Sequence, residues 1–206
     1  MQRTTVSLVV IGVIAWAGLV VIALQLAAVW ALGFDLELLL EAGRAVAAGQ
    51  QPYDPALLAG AAPDSVSLFY SYPPPVAQAL ALVAGIPSPV MLVAWWVGAL
   101  AGSLAAAEAL RGRLAPAYPA RDLRLAIAAL SPLALPFSVG LLFGNLDTWF
   151  PLLYGTILLA AMAPSPGTAL AGGSALAVAA LKLHPASLGA WFLVRAVRER
   201  SSGGFR

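Results

Sequence analysis

Apolar stretches of membrane length alternate along the chain with short polar gaps, and the charges fall almost wholly in the gaps. No Asp, Glu, Lys or Arg occurs between Thr4 and Phe34. About 20 apolar residues suffice for a helix to cross a bilayer, so Val6 to Leu32 reads as a first span. Apolar sequence resumes at Val76 to Ile86, breaks at Pro87-Ser88-Pro89 and continues from Val90 to Leu110. Further apolar pieces are Leu125 to Phe143, Trp149 to Met162, Thr168 to Leu181 and Ala186 to Val194. Pro164-Ser165-Pro166-Gly167 reads as a turn. The pattern predicts an all-α, polytopic integral membrane protein, with residues 1–200 as a single transmembrane domain and 201–206 as a disordered tail. Six crossings result if Val76 to Leu110 crosses once, and seven are the alternative. Ala77 to Ile86 alone is too short to span, at a rise of about 1.5 Å per residue.

The polar region 33–75 has internal order. Leu36, Leu39, Leu40 and Gly43 fall on one helical face, while Glu37, Glu41 and Arg44 share another at i, i+4 and i+7. This spacing predicts an amphipathic helix over Leu36–Ala48 lying in the membrane interface. Asp35 stands just before it, where a carboxylate can cap free N–H groups. Gly49 is placed to end it, and Gln50 to Pro55 leads into a loop with Asp54 at a turn position. Phe69-Tyr70-Ser71-Tyr72 precedes Pro73, Pro74 and Pro75, which favour polyproline II or the first turn of a helix. Tyr and Phe there suit the headgroup level.

Composition supports the membrane reading. Hydrophobic residues make up 61% and charged residues 10%, against about 25% charged in soluble domains. The first apolar stretch is far longer than the ~7–15 residues of a signal-peptide core, and no cleavage site closes it, so it is expected to remain as a span. With no cysteine, disulfides and thiolate metal sites are excluded. The net charge of +2 gives no reason to expect a nucleic-acid partner. The distribution of charge says more. Arg3, the cluster Arg111 to Arg124 and the cluster Arg195 to Arg200 should be cytoplasmic by the positive-inside rule. Residues 33–75, Gly144–Asp147 and Lys182–Pro185 then face outward in a multi-pass protein of the cell membrane. The tryptophans at 16, 30, 95, 96, 149 and 191 read as lipid-facing or interfacial anchors.

Four signatures stand in order between the apolar pieces: FDLELLLEAGRAVAAGQQPYDP, FYSYPPP, GNLD and LKLHP. Together they resemble the N-terminal half of glycosyltransferase family 87, multi-span enzymes of the GT-C superfamily that include polyprenyl-phosphate-mannose-dependent mannosyltransferases. Family chains are about twice as long, so the resemblance covers only their first half and omits acceptor-binding residues that the second half would supply. It implies a GT-C-like helical bundle with an outer interfacial helix. It also implies transfer of mannose, or another hexose or pentose, from a polyprenyl-phosphate donor to an outer glycan or glycolipid. No cofactor or metal is implied. Asp35 would be the general base, since an attacking hydroxyl needs a base within hydrogen-bond reach. Arg44, Tyr53, Tyr72, Asn145, Asp147, Lys182 and His184 are the substrate-binding candidates, with Lys182 and Arg44 the cations available to a leaving phosphate.

Plainer roles stand beside these. Asp35 could be only a helix cap, and Arg44 could pair with Glu41 or snorkel to headgroups. Asn145 with Gly144 suits a helix C-cap. Lys182 ends an uncharged stretch and could snorkel, whereas at a span centre it would cost about 2.5–3.5 kcal/mol. His184, the sole histidine, suits packing better than metal binding. Two other function classes remain: a truncated, non-catalytic membrane protein that binds lipid or a partner, and a small transporter. A transporter should show internal repeats and mid-membrane polar residues. Here there is no convincing repeat, and the polar groups gather at one edge.

The charge pattern predicts that residues 33–75 and the Arg111–Arg124 cluster lie on opposite sides of the membrane. In this cysteine-free chain, single cysteines at Ala61 and Ala117 should label with impermeant reagent from opposite sides; labelling of both from one side would refute the topology.

Overall fold

The computed structural model describes residues 2–59, 70–162 and 165–179. The described residues form helices and connecting turns, with no strand among them. They fall into two compact units: the described residues of Met1–Gly102 with Tyr118–Thr148, and those of Ser103–Ala117 with Trp149–Arg206.

In the first unit, α1 (Gln2–Ala28) and α5 (Ser88–Leu114, whose last residues belong to the second unit) are each long and apolar enough to cross a membrane. Side chains along α1 stay exposed, Val13 at 64% and Ile14 at 67%. A run of aliphatic surface that long is suited to lipid rather than water. α1 ends in a Schellman motif, with Ala31 N–H donating to Leu26 O and Trp30 N–H to Ala27 O. The left-handed residue of the motif is Trp30, at φ 58°. Glycine usually fills that position, because a side chain there meets the following carbonyl.

The expected amphipathic helix is present as α2 (Phe34–Ala47). Leu36, Leu39, Leu40, Ala42 and Gly43 are its buried face. It packs on α4 (Pro74–Ala81), and a Cβ on Gly43 would sit 2.8 Å from the Leu80 carbonyl carbon, so only glycine lets the backbones approach this closely. Gly49, at φ 71°, closes α2 in a second Schellman motif as its sequence position suggested. The short helix α3 (Pro55–Leu58) follows, its first turn capped by the Asp54 carboxylate, which accepts the Ala56 N–H at 2.8 Å. Pro73 is extended at φ −59°, ψ 152°, and prolines open α4, so the proline run supplies both polyproline geometry and a helix start. At eight residues α4 is too short to cross a membrane.

The stretch Leu125–Phe143, read above as one apolar span, is broken. α6 (Ala120–Leu130), a 3₁₀ turn (Ser131–Leu133) and α7 (Leu135–Phe143) follow one another, and the two arms bend by 71°. Pro132 and Pro136 are the cause, since proline lacks the N–H that the carbonyl four residues earlier would accept. The two orphaned carbonyls find side-chain donors. Trp16 Nε1 donates to Ala128 O at 2.6 Å, and Ser138 Oγ donates to Pro132 O at 2.7 Å. Trp16 is therefore more than a lipid-facing anchor: it ties α1 to α6, beside the point where a Cβ on Gly12 would lie 2.8 Å from Ala129 Cα. Trp96 makes a similar tie from α5 to α7, donating to Leu141 O at 2.6 Å. Trp95 is buried, Trp30 is fully exposed, and Trp191 lies outside the described residues.

In the second unit, α8 (Phe150–Met162) and α9 (Pro166–Ala179) pack through small residues, with Gly172 against Ala160 and Ile157 and Ala175 buried. Gly155 of α8 meets Ala106 of α5. Small residues at such contacts let apolar helices approach without needing a hydrophobic drive. Both helices are apolar but short, so span-length helices number two among the described residues, or three if the bent α6–α7 pair crosses once. The piece Ala186–Val194 lies outside the described residues.

The proline compensation gives a specific expectation. Trp16→Phe should leave the Ala128 carbonyl without its indole donor and destabilise the protein by about 1–3 kcal/mol. Adding Pro132→Ala restores a backbone N–H four residues on and should recover most of that loss. Unfolding of the two variants in detergent micelles checks this; an equal loss in single and double variants would show that the indole acts through packing alone.

Candidate functional site

Two left-handed glycines build the site. Gly33, at φ 72°, precedes α2, and Gly144, at φ 70°, follows α7. Gly33 N–H donates to Leu142 O at 2.8 Å, and a Cβ on Gly144 would lie 2.5 Å from Leu36 Cβ. A Cβ on Gly33 would meet Leu92 of α5 at 2.9 Å, so neither glycine has room for a side chain. Residues on either side then fall opposite one another. Phe34 and Phe143 meet edge to face with centroids 6.4 Å apart, and Asn145 Nδ2 donates to Asp35 Oδ2 at 2.6 Å.

Asn145 is used at both ends of its amide. Its Oδ1 accepts the Asp147 N–H at 3.1 Å, while its backbone carbonyl accepts the Thr148 hydroxyl at 2.7 Å. Thr148 is fully buried and rests on Gly140, where an added Cβ would lie 2.6 Å from Thr148 Oγ1. Asn145 thus links the Asp35 carboxylate to the backbone of Asp147. The C-cap reading of Gly144-Asn145 holds as well, because Asn145 N–H donates to Gly140 O.

Asp35 departs from one expectation. It does not cap α2, which begins a residue earlier at Phe34 with Gly33 as its N-cap and no side-chain cap bond. Asp35 lies inside the first turn, where a carboxylate still suits the helix dipole. Its side chain instead crosses to Asn145. Held through Oδ2, the carboxylate keeps lone pairs on Oδ1, which meets no donor among the described residues. A half-buried carboxylate with one oxygen fixed and the other available can accept a proton from a neighbouring hydroxyl.

Arg44 also departs from expectation. Its partner is Glu37, two turns back at 2.7 Å, rather than Glu41. Its second amino group donates to Ser88 Oγ at 2.7 Å, joining the last turn of α2 to the first of α5. The Ser88 hydroxyl gave no sign of this in the sequence. Glu37 did, since it shares a helical face with Arg44. Burial alone would raise the Glu37 carboxyl. Hydrogen bonds from Arg44 and Ser88, with the Arg44 charge, outweigh that and hold it below the usual 4.5.

Tyr53 and Tyr72 gather around Tyr70, with centroids 5.4 and 6.0 Å from it. Tyr53 OH donates to Tyr72 O at 2.8 Å and Tyr70 OH to Pro73 O at 3.0 Å, so the cluster holds the proline turn. Burial pushes the Tyr70 phenol up to about 12, aided by its two tyrosine neighbours and opposed by a backbone hydrogen bond at Ala77. In the sequence nothing distinguishes Tyr70 from the tyrosines beside it; its burial is set by the fold. Lys182 and His184 lie outside the described residues. No group of three or more His, Cys, Asp or Glu suited to a metal occurs among the described residues.

Comparison of the chain with known protein families, curated proteins and solved structures found no match.

The lowered Glu37 carboxyl sets a sign for acid stability. Its contribution is complete above the ordinary glutamate value of 4.5 and is lost as pH falls through the lower folded-state value. The pair is more than a third exposed, so the contribution is at most about 1 kcal/mol. Glu37→Gln should remove that part of the acid limb while changing stability little at lower pH. Unfolding followed downward from neutral pH checks this, and an unchanged acid limb would refute it.

Proposed function

We propose that the protein is a membrane glycosyltransferase, or the first half of one, that transfers a sugar from a polyprenyl phosphate. The observation that supports this reading most directly is the Asp35 carboxylate, held by Asn145 at 2.6 Å where the span-length α1 gives way to the amphipathic α2. The signatures containing these two residues are those that resemble glycosyltransferase family 87. In this reading Asp35 Oδ1 takes the proton of an acceptor hydroxyl on a glycan or glycolipid. The freed oxygen attacks the anomeric carbon of the donor sugar, mannose or another hexose or pentose. The bond from that carbon to the phosphate oxygen breaks, and polyprenyl phosphate leaves with the electron pair. Attack opposite the leaving group inverts the anomeric centre.

The geometry suits the task in two respects. Asn145 fixes the orientation of the base, and orientation contributes heavily to such reactions. Asp35 also sits near a membrane edge, where a carboxylate can remain charged yet meet a lipid-borne donor. Asp147, held on Asn145 by its backbone, is the next acidic group in reach of the junction. The multi-pass topology of six or seven crossings in the cell membrane belongs to the same proposal, as do Lys182, His184, Arg44, Tyr53 and Tyr72 as substrate-binding residues.

Asp35→Asn keeps the shape of the side chain but cannot accept the proton. Membranes containing this variant, supplied with polyprenyl-phosphate sugar and acceptor, should transfer about 10²–10⁴-fold more slowly than wild type. Asp54→Asn, which affects only the turn before α3, should lose far less. Near-normal transfer by inserted Asp35→Asn protein would overturn the role of Asp35 and move the search for the base to Asp147.

A further inference from the structure

A half-open cleft of about 710 Å³ lies on another face of α2 from the Asp35 carboxylate. That volume is within the roughly 300–1,000 Å³ usual for a bound small molecule. Trp30, Phe34, Leu38, Pro89 and Leu92 give it apolar walls, and Glu37, Glu41 and Ser88 give it a polar edge. The charges at this edge are unequal in their compensation. Glu37 is matched by Arg44, which also holds Ser88. Glu41 is exposed and has no ion-pair or hydrogen-bond partner among the described residues. The cleft therefore presents one uncompensated carboxylate beside an apolar wall.

Its position adds a second constraint. The cleft lies where α1 ends and α5 begins, so the ends of both span-length helices meet it. In a bilayer such ends mark the level where hydrocarbon gives way to headgroups. Trp30, 94% exposed in its left-handed conformation, stands at the mouth, where an indole suits the headgroup layer. An occupant arriving from the membrane brings an apolar chain for the walls and a head for Glu41.

We propose that this cleft binds one phospholipid with a primary-ammonium head, of the phosphatidylethanolamine class, its ammonium on the Glu41 carboxylate and an acyl chain along the apolar wall. A primary ammonium offers three N–H donors to the carboxylate. A choline head carries the same charge but no N–H. An anionic lipid with no ammonium would bring its phosphate against Glu41, with the Arg44 charge already matched. The site is independent of the transfer reaction proposed above, and its test involves no transferase assay.

The test exposes the full chain, purified in detergent, to mixed vesicles of phosphatidylethanolamine, phosphatidylglycerol and phosphatidylcholine in equal amounts. Native mass spectrometry then reads the phospholipid retained after detergent exchange. Retained phosphatidylethanolamine should exceed each other class by about tenfold, the scale of one charge-assisted hydrogen bond. Glu41→Gln, an exposed change that should leave helical content by circular dichroism unaltered, should reduce that preference to about twofold or less. Retention in the proportions of the vesicles, a preference for phosphatidylglycerol, equal retention of the choline and ethanolamine lipids, or a preference unchanged by Glu41→Gln would each overturn the proposal.

Discussion

Satisfying the carbonyls at the end of α7 is the constraint on which the first unit depends. In an apolar setting a backbone group without a partner costs several kcal/mol, so broken helices persist only where something else supplies the bond. Gly140 O accepts the N–H of Asn145, Leu141 O the indole of Trp96, and Leu142 O the N–H of Gly33. These donors come from the loop after α7, from α5 and from the loop before α2. The same end of one short helix thus fixes three parts of the chain. Upstream, the break between α6 and α7 obeys the same rule, with Trp16 and Ser138 standing in for the N–H groups that Pro132 and Pro136 lack.

The chemistry follows from that junction. Because Gly33 and Gly144 let their two segments come close, the residues flanking them fall opposite one another, phenylalanine beside phenylalanine and aspartate beside asparagine. Asp35 is held by an amide whose other end is also occupied, so its orientation is set by the fold rather than by a rotamer preference. Arg44 is held in a comparable way by Glu37 and Ser88. α2 consequently has separate faces for separate tasks. Leu36, Leu39 and Leu40 bury against neighbours, Asp35 turns to the loop after α7, and Leu38, Glu37 and Glu41 border the apolar cleft.

The amino-acid sequence by itself determined the class of the protein, the two span-length helices, the amphipathic α2 with its buried leucines, its stop at Gly49 and the helix start within the proline run. All of these depend on local periodicity, on residue types with restricted backbone geometry, or on the absence of charge over a membrane thickness. It also marked Asp35, Asn145 and Asp147 as charged or polar groups at the margins of apolar stretches. Tertiary structure alone decided that Asp35 meets Asn145 instead of capping α2 and that Arg44 chooses Glu37 and Ser88 over Glu41. It also turned Trp16 and Trp96 from anchors into hydrogen-bond donors. The physical reason is common to all of these. A carboxylate, a guanidinium or an indole can reach several partners from one backbone position, and which one it meets depends on how the fold brings other elements beside it, 110 positions away for Asp35 and Asn145 and 44 for Arg44 and Ser88. Helical periodicity carries no record of such contacts, because it reports only which face of an element is apolar.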